Sequence, residues 1–323
     1  MKRIFEKNIV ETVKALRRAK KVLVVAHVNP DGDTLGCLLA LGLALMQEEK
    51  KVTLLCHDTV PTRFQYLPGS ELVGSESREK ADVAVAVDCG SPRQLGSVAN
   101  AFFKAACTIQ IDHHDFGEAF GKIQVLDPEA SAVGEIVYEI LRALKTEITP
   151  AIATCLLTSI IIDTGAFRFS NIRAKTFDIC SRLVKKGVDI QHVIEEAYWV
   201  KSRSMALLSG HALSKAQFSK EGAVAWAVVS QRDIVHYGAG LSDADSVCDD
   251  LRSIEGVKVA ALFRETNKGN FRVSLRSKKG INVASVAQQF GGGGHHNSAG
   301  CSIRGVETEK KKVLAALEAL ISG

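Results

Sequence analysis

A chain of 323 residues is too long for one typical compact core and too short for three, so two domains are expected. With 46% hydrophobic and 24% charged residues and only 6 prolines, the composition excludes a disordered polypeptide. A net charge of +5 suits an anionic ligand but is too small for a protein that coats duplex DNA.

The first 21 residues are amphipathic and charged, without the apolar core of a signal peptide. The longest apolar runs, 38–46 and 151–162, are too short to span a bilayer. The eight cysteines are scattered and form no CxxC pair, so they read as reduced core thiols of a cytoplasmic protein.

From residue 21 onward, short β-branched runs alternate with helical patterns. A strand at 22–26 precedes a helix at 34–47, and strands at 52–56, 83–87 and 108–111 follow. This alternation predicts an α/β domain built on a parallel sheet with helices on both faces. Such a sheet collects its ligand site at the carboxyl ends of its strands.

The stretch 189–216 reads as polar helix and connector. It divides the chain into a first domain at 1–195, a helical connector at 196–215 and a smaller α/β domain at 216–323. The second half shows a hairpin pattern at 216–219 and 223–230, a helix at 242–254, and a hairpin at 257–264 and 270–277. A helix at 283–290, the run Gly291-Gly292-Gly293-Gly294 and a terminal helix at 307–321 complete it.

The residues that carry chemistry follow the apolar runs. Behind the first strand comes His27-Val28-Asn29-Pro30-Asp31-Gly32-Asp33, which taken alone is equally a solvated turn with an incidental histidine. Asp88 follows another strand, where a turn or helix-cap role is the ordinary one, and Asp112-His113-His114-Asp115 follows a fourth. Asp163 ends a run that must be buried, and an unpaired buried carboxylate there needs a cation or a strong donor.

Counting gives six candidate metal ligands: His27, Asp31, Asp33, Asp88, His113 and Asp163. Oxygen and imidazole donors without thiolates favour Mn²⁺ or Mg²⁺, with Fe²⁺, Co²⁺ or Zn²⁺ as substitutes. Six such ligands suit two ions about 3.5–4 Å apart with one carboxylate between them.

These four segments, in this order, resemble the motifs of the DHH phosphoesterases, a family named for the tripeptide present here as Asp112-His113-His114. The second half resembles the first type of DHH-associated domain through Gly291-Gly292-Gly293-Gly294-His295 and Ala299-Gly300. The resemblance covers nearly the whole chain. It implies that His27, Asp31 and Asp88 hold one ion and that Asp33, Asp88, His113 and Asp163 hold the other, with Asp88 bridging. It further implies a catalytic His114 donating to a phosphate oxygen, Asp112 orienting imidazoles, and an active site in a cleft between the domains. Attack on phosphorus would come from a hydroxide bridging the two ions.

In the second domain the glycine run reads either as a flexible linker or as backbone close to a ligand. Its amides at Gly293 and Gly294 with His295 would bind an anion. Arg264 and Arg276 lie on adjacent strands and suit phosphate, although either can be a solvated strand-face residue. The family pattern often has Arg where this chain has His296, which puts a phosphate contact from that position in doubt.

The compact two-domain plan resembles the oligoribonucleases of the family that also act on 3'-phosphoadenosine 5'-phosphate (pAp). It lacks the extra domains of a long-DNA exonuclease and the sensory segments of membrane-anchored esterases. The expected function is a Mn²⁺-dependent hydrolase of short single-stranded RNA (nanoRNA) and pAp, with a homodimer as the candidate assembly and no membrane partner. A cyclic- or linear-dinucleotide phosphodiesterase acting on pApA or pGpG is the alternative, and an inert nucleotide-binding regulator is the alternative of another class.

Overall fold

The computed structural model describes residues 2–114, 117–278 and 280–322, and the chain divides into two compact units, Met1–Val200 and Lys201–Gly323. In the first, six strands form one all-parallel sheet: β1 (Lys21–Val25), β2 (Lys51–Leu55), β3 (Val73–Gly74), β4 (Val83–Val87), β5 (Cys107–Asp112) and β6 (Ile123–Leu126). Their order is β3-β2-β1-β4-β5-β6. The chain winds outward one way from β1 to β3 and the other way from β4 to β6. The loops leaving β1 and β4 therefore part and leave a crevice at the carboxyl ends of these two neighbours.

Both faces of this sheet are covered, which is why β4 is buried along its whole length. Val22 and Val24 point into a large core with the helices Gly32–Gln47, Val133–Leu144 and Pro150–Asp163. Leu23, Val25, Ala84 and Ala86 face the opposite side, where Leu95 and Phe102 cover them. The three helices lie unusually close because glycine stands at their crossings. A Cβ on Gly36 would collide with the Cys155 carbonyl oxygen, and one on Gly134 with the Ser159 hydroxyl. The N-terminal helix, Lys2–Arg18, buries Leu16 in the same core.

The second unit is a six-stranded mixed sheet of β7 (Gln217–Phe218), β8 (Val224–Val229), β9 (Val259–Asn267), β10 (Asn270–Ser277), β11 (Gly293–His295) and β12 (Ser298–Arg304), in the order β11-β12-β10-β9-β8-β7. Only β8 and β9 pair in parallel. The helices Val283–Gln289 and Val306–Ser322 cover one face, and Arg203–Ser214 and Ser246–Ser253 cover the other. Leu208 and Ala212 place the helix Arg203–Ser214 in the core of this unit.

The expected α/β fold, a parallel-sheet domain followed by a smaller α/β domain, is the fold observed. Details differ. The helix read at 242–254 is a short 3-10 turn, Leu241–Ala244, and a separate helix, Ser246–Ser253. Half of the glycine run is strand: Gly293 and Gly294 belong to β11 and pair with Gly300 and Ala299, with His296 and Asn297 forming the turn. Glycine is disfavoured in strands, so the pattern hides this hairpin. All eight cysteines are free thiols, and seven are buried. No helix among the described residues is long and apolar enough to cross a membrane.

The helix crossings give a stability test. Gly36→Ala should destabilise the first unit by about 1–3 kcal/mol in urea unfolding, because a backbone oxygen must move. Gly210→Ala, on the exposed face of the helix Arg203–Ser214 with open space around it, should be neutral or stabilising by ~0.5–1 kcal/mol. Equal effects would show that the crossing is looser than described.

Candidate metal centre

The crevice between β1 and β4 holds the titratable residues. Immediately after β1, Val28 donates its amide to Gln94 O (2.7 Å), and Asn29, with φ 53°, donates to the Asp58 carboxylate (2.7 Å). The chain is pinned there and turns into the helix Gly32–Gln47. Asp31 caps that helix, its Oδ1 accepting the amides of Asp33 and Thr34 at 3.0 Å each. The positive end of the helix thus meets two carboxylates.

Asp88 follows β4 in a left-handed conformation, φ 57°, with its amide donated to Ile111 O at 2.8 Å. This conformation is uncommon outside glycine, and Asp tolerates it better than most residues. The Thr34 hydroxyl donates to Asp88 Oδ2 at 2.6 Å, His27 Nε2 stands 3.4 Å from the same oxygen, and His114 Nδ1 stands 3.7 Å from Oδ1. Asp88 belongs to two groups whose donor atoms all lie within 4.8 Å of one another: His27, Asp31 and Asp88, and Asp88, His113 and His114.

His113 Nε2 lies 3.3 Å from Asp163 Oδ2 and 3.9 Å from Asp33 Oδ2. Asp163 ends the helix Pro150–Asp163, where the helix dipole adds further negative charge. Asp33 is fully buried: Oδ1 accepts from Ser159 Oγ (2.5 Å) and Cys37 Sγ (3.3 Å), and Oδ2 accepts the Val133 amide (2.9 Å). Asp112 accepts from His114 Nδ1 at 2.6 Å. Asp115 lies outside the described residues.

The tautomers decide what this centre can take. His27 Nδ1 is 2.7 Å from Val28 O and His113 Nδ1 is 2.9 Å from Ala130 O, so each Nδ1 carries the hydrogen. Each Nε2 then faces a carboxylate oxygen, and that approach needs a proton or a metal cation between the two atoms.

The acid–base balance shows the same shortage of positive charge. Burial disfavours the imidazolium at His27, yet Asp88 and then Asp31 raise it to about 10. His113 is likewise lifted against its burial to about 10 by Asp163, Asp33 and Asp88. Burial raises Asp163 to about 7 despite the adjacent His113, with Asp88 and Asp31 adding to the push. Asp33 rises well above its ordinary value through burial and the charges of Asp88 and Asp163. Asp88 alone is lowered: burial opposes its charge, but His27, His114 and His113 outweigh that. Every donor is oxygen or nitrogen, which fits a hard or borderline divalent ion.

In the second unit, Arg264 and Arg276 share the sheet face that carries Ala260 and Leu262, because Arg276 pairs with Ala260 and Arg264 lies two alternations along β9. Arg264 donates to Leu241 O and stands 3.8 Å from Asp245, and Arg276 stands 3.4 Å from Asp249. His295 ends β11 opposite Ser298. Gly292 and Gly294 lie against the β12 backbone, where a Cβ would collide, whereas a Cβ on Gly293 would meet nothing within 4 Å.

Sequence reasoning missed Thr34, Ser159 and the backbone groups of Ala130 and Val133. Nothing local marks them, since each acts on a partner distant in the chain.

Comparison with known proteins agrees with this architecture. Residues 21–160 match the DHH family N-terminal domain and residues 222–323 the DHHA1 domain. The chain is 30% identical over 315 residues to the bifunctional oligoribonuclease and PAP phosphatase NrnA of Thermus thermophilus, covering 96% of this chain and 92% of that protein. It is 25% identical to the Bacillus subtilis protein of the same name, covering 96% and 97%. The crystal structure of an exopolyphosphatase-related protein from Bacteroides fragilis superposes with a TM-score of 0.90 at 27% identity, covering 97% of this chain and 96% of that one. The chain therefore belongs to the DHH family of phosphoesterases.

Thr34 supplies a test that leaves every candidate ligand in place. Thr34→Val keeps the shape and removes the donor to Asp88, and it should weaken Mn²⁺ binding about ten- to a hundredfold by calorimetry. Unchanged affinity would show that Asp88 is held without it.

Proposed function

We propose that this protein is a two-metal phosphodiesterase and phosphatase that hydrolyses short oligoribonucleotides to mononucleotides and pAp to AMP. The observation that carries the reading is Asp88, placed by its left-handed turn where two groups of metal donors share one carboxylate. The near full-length similarity to NrnA proteins supports this substrate class over the dinucleotide-specific alternative. The presence of all six candidate ligands disfavours an inert regulator.

His27, Asp31 and Asp88 would hold one ion, and Asp88, Asp33, His113 and Asp163 the other. Two divalent ions here, with Mn²⁺ the favoured metal, supply electrophilic charge to the phosphoryl group and make water a nucleophile at neutral pH. Val28 O and Ala130 O fix the ring orientations of His27 and His113. Asp112 fixes His114, which donates to a phosphoryl oxygen as negative charge builds there.

We assign recognition of the substrate phosphate to Arg264, Arg276, His295 and the amides of Gly293 and Gly294. Arg264 and Arg276 would exchange their contacts with Asp245 and Asp249 for phosphate. Eight free thiols suit a reducing cytoplasm.

The deciding experiment is hydrolysis of RNAs of about two to five nucleotides, pAp, pApA and cyclic di-AMP by metal-stripped protein, before and after Mn²⁺ is restored. Activity should return with Mn²⁺ on short RNA and pAp, and Asp88→Ala should bind neither ion. Full activity in EDTA would end the two-metal reading, and turnover confined to cyclic di-AMP or pApA would favour the alternative. Arg264→Ala and His295→Ala should lose about ten- to a hundredfold in kcat/KM on RNA and pAp, with a much smaller loss on bis-p-nitrophenyl phosphate. Equal losses on both would place these residues in the catalytic centre or in folding.

A further inference from the structure

The loop that follows β6 has a role that neither the motifs nor the family match assigns. The loop and the first residue of the helix that follows it touch two of the candidate ligands by backbone alone. The Ala130 carbonyl accepts from His113 Nδ1 at 2.9 Å, and the Val133 amide donates to Asp33 Oδ2 at 2.9 Å. A single side chain ties this loop to the third ligand. Asn171 Nδ2 donates to Ser131 O at 2.9 Å and to Asp163 O at 3.1 Å.

The clamp is closed from behind. Ser131 Oγ donates to Asn171 O at 2.6 Å and meets Thr176 Oγ1 at 2.7 Å. Thr176 Oγ1 donates to Glu135 Oε1 at 2.6 Å, and Arg173 Nη2 donates to Glu135 Oε2 at 2.7 Å. Glu135 is buried, so its pairing with Arg173 fixes the segment firmly. All these contacts converge on His113, Asp33 and Asp163. Among the described residues none of them reaches His27 or Asp31, which are held instead by Val28 O and by the cap of the helix Gly32–Gln47.

We propose that Asn171 is a positioning residue for one of the two ions only: it locks the loop carrying Ala130 and Val133 to the end of the helix carrying Asp163, and so sets the spacing of His113, Asp33 and Asp163. The inference rests on the two-ion reading above. A residue that merely capped a helix would affect stability and both ions alike. Asn171 instead joins the two pieces of chain whose separation defines one ion's donors, and removal of such orienting partners typically weakens metal binding about ten- to a hundredfold.

The test is calorimetric titration of the metal-stripped full chain with Mn²⁺ alone, in parallel with thermal unfolding of the metal-free protein. Asn171→Ala should leave one binding step near its original affinity and weaken the other about tenfold or more, with little change in unfolding temperature. Ser131→Ala, which loosens the same clamp from the other side, should weaken the same step. Asp163→Asn should also weaken that step, and adding Asn171→Ala to it should add little, because both act on one ion. Asp31→Asn should weaken the other step, and its effect should add to that of Asn171→Ala. Two unchanged steps in Asn171→Ala, or two equally weakened ones, would overturn the positioning role. A single step or none in the unaltered protein would instead show that the two-ion reading has failed, and this inference with it.

Discussion

Four carboxylates crowd one end of a parallel sheet, three of them facing the Nε2 of an imidazole at 3.3–3.9 Å. Much of the first unit serves to hold that arrangement against its own repulsion. Like charges gathered in a buried crevice are strongly unfavourable, and proton uptake or bound cations are the available remedies. The divergence of the chain at β1 and β4 creates the crevice, and close helix packing at Gly36 and Gly134 brings Ser159 to Asp33. The left-handed turn at Asp88 sets its carboxylate beside His27, His114 and Thr34. A fold under no such demand would have little reason to keep an aspartate in that conformation beside three histidines.

The two units differ in how they hold their charged side chains. The first supplies fixed donors, each side chain already oriented by a carbonyl, a hydroxyl or a helix cap, so that little reorganisation accompanies metal binding. The second holds arginines engaged with aspartates and a β11–β12 hairpin whose glycines play different parts. Gly292 and Gly294 are required by the adjacent backbone, and Gly293 faces open space. A side chain at Gly293 would enter that space without disturbing the hairpin.

The sequence made the strand-end positions of His27, Asp31, Asp88 and His113 legible, because apolar β-branched runs stop just before them and a parallel sheet gathers such ends. Asp163 was legible through the cost of burying a carboxylate after 151–162. Less of the second unit could be read. The alternation Ala299, Cys301, Ile303 that defines β12 is interrupted by Gly300 and preceded by the glycine run, and both suppress a strand signal. The short edge strands β3 and β6 lack enough residues to show a period. The contacts of Thr34 with Asp88, Ser159 with Asp33 and Asn171 with Ser131 span dozens of residues or more, and no local pattern records a partner at that separation.

The central claim is that Asp88 is shared by two ions, and anomalous diffraction from crystals of the metal-stripped protein soaked in Mn²⁺ addresses it directly. The account predicts two anomalous peaks about 3.5–4 Å apart, both within coordination distance of the Asp88 carboxylate, one also contacting His27 and Asp31 and the other His113 and Asp163. A single peak, or two peaks of which only one touches Asp88, would contradict it.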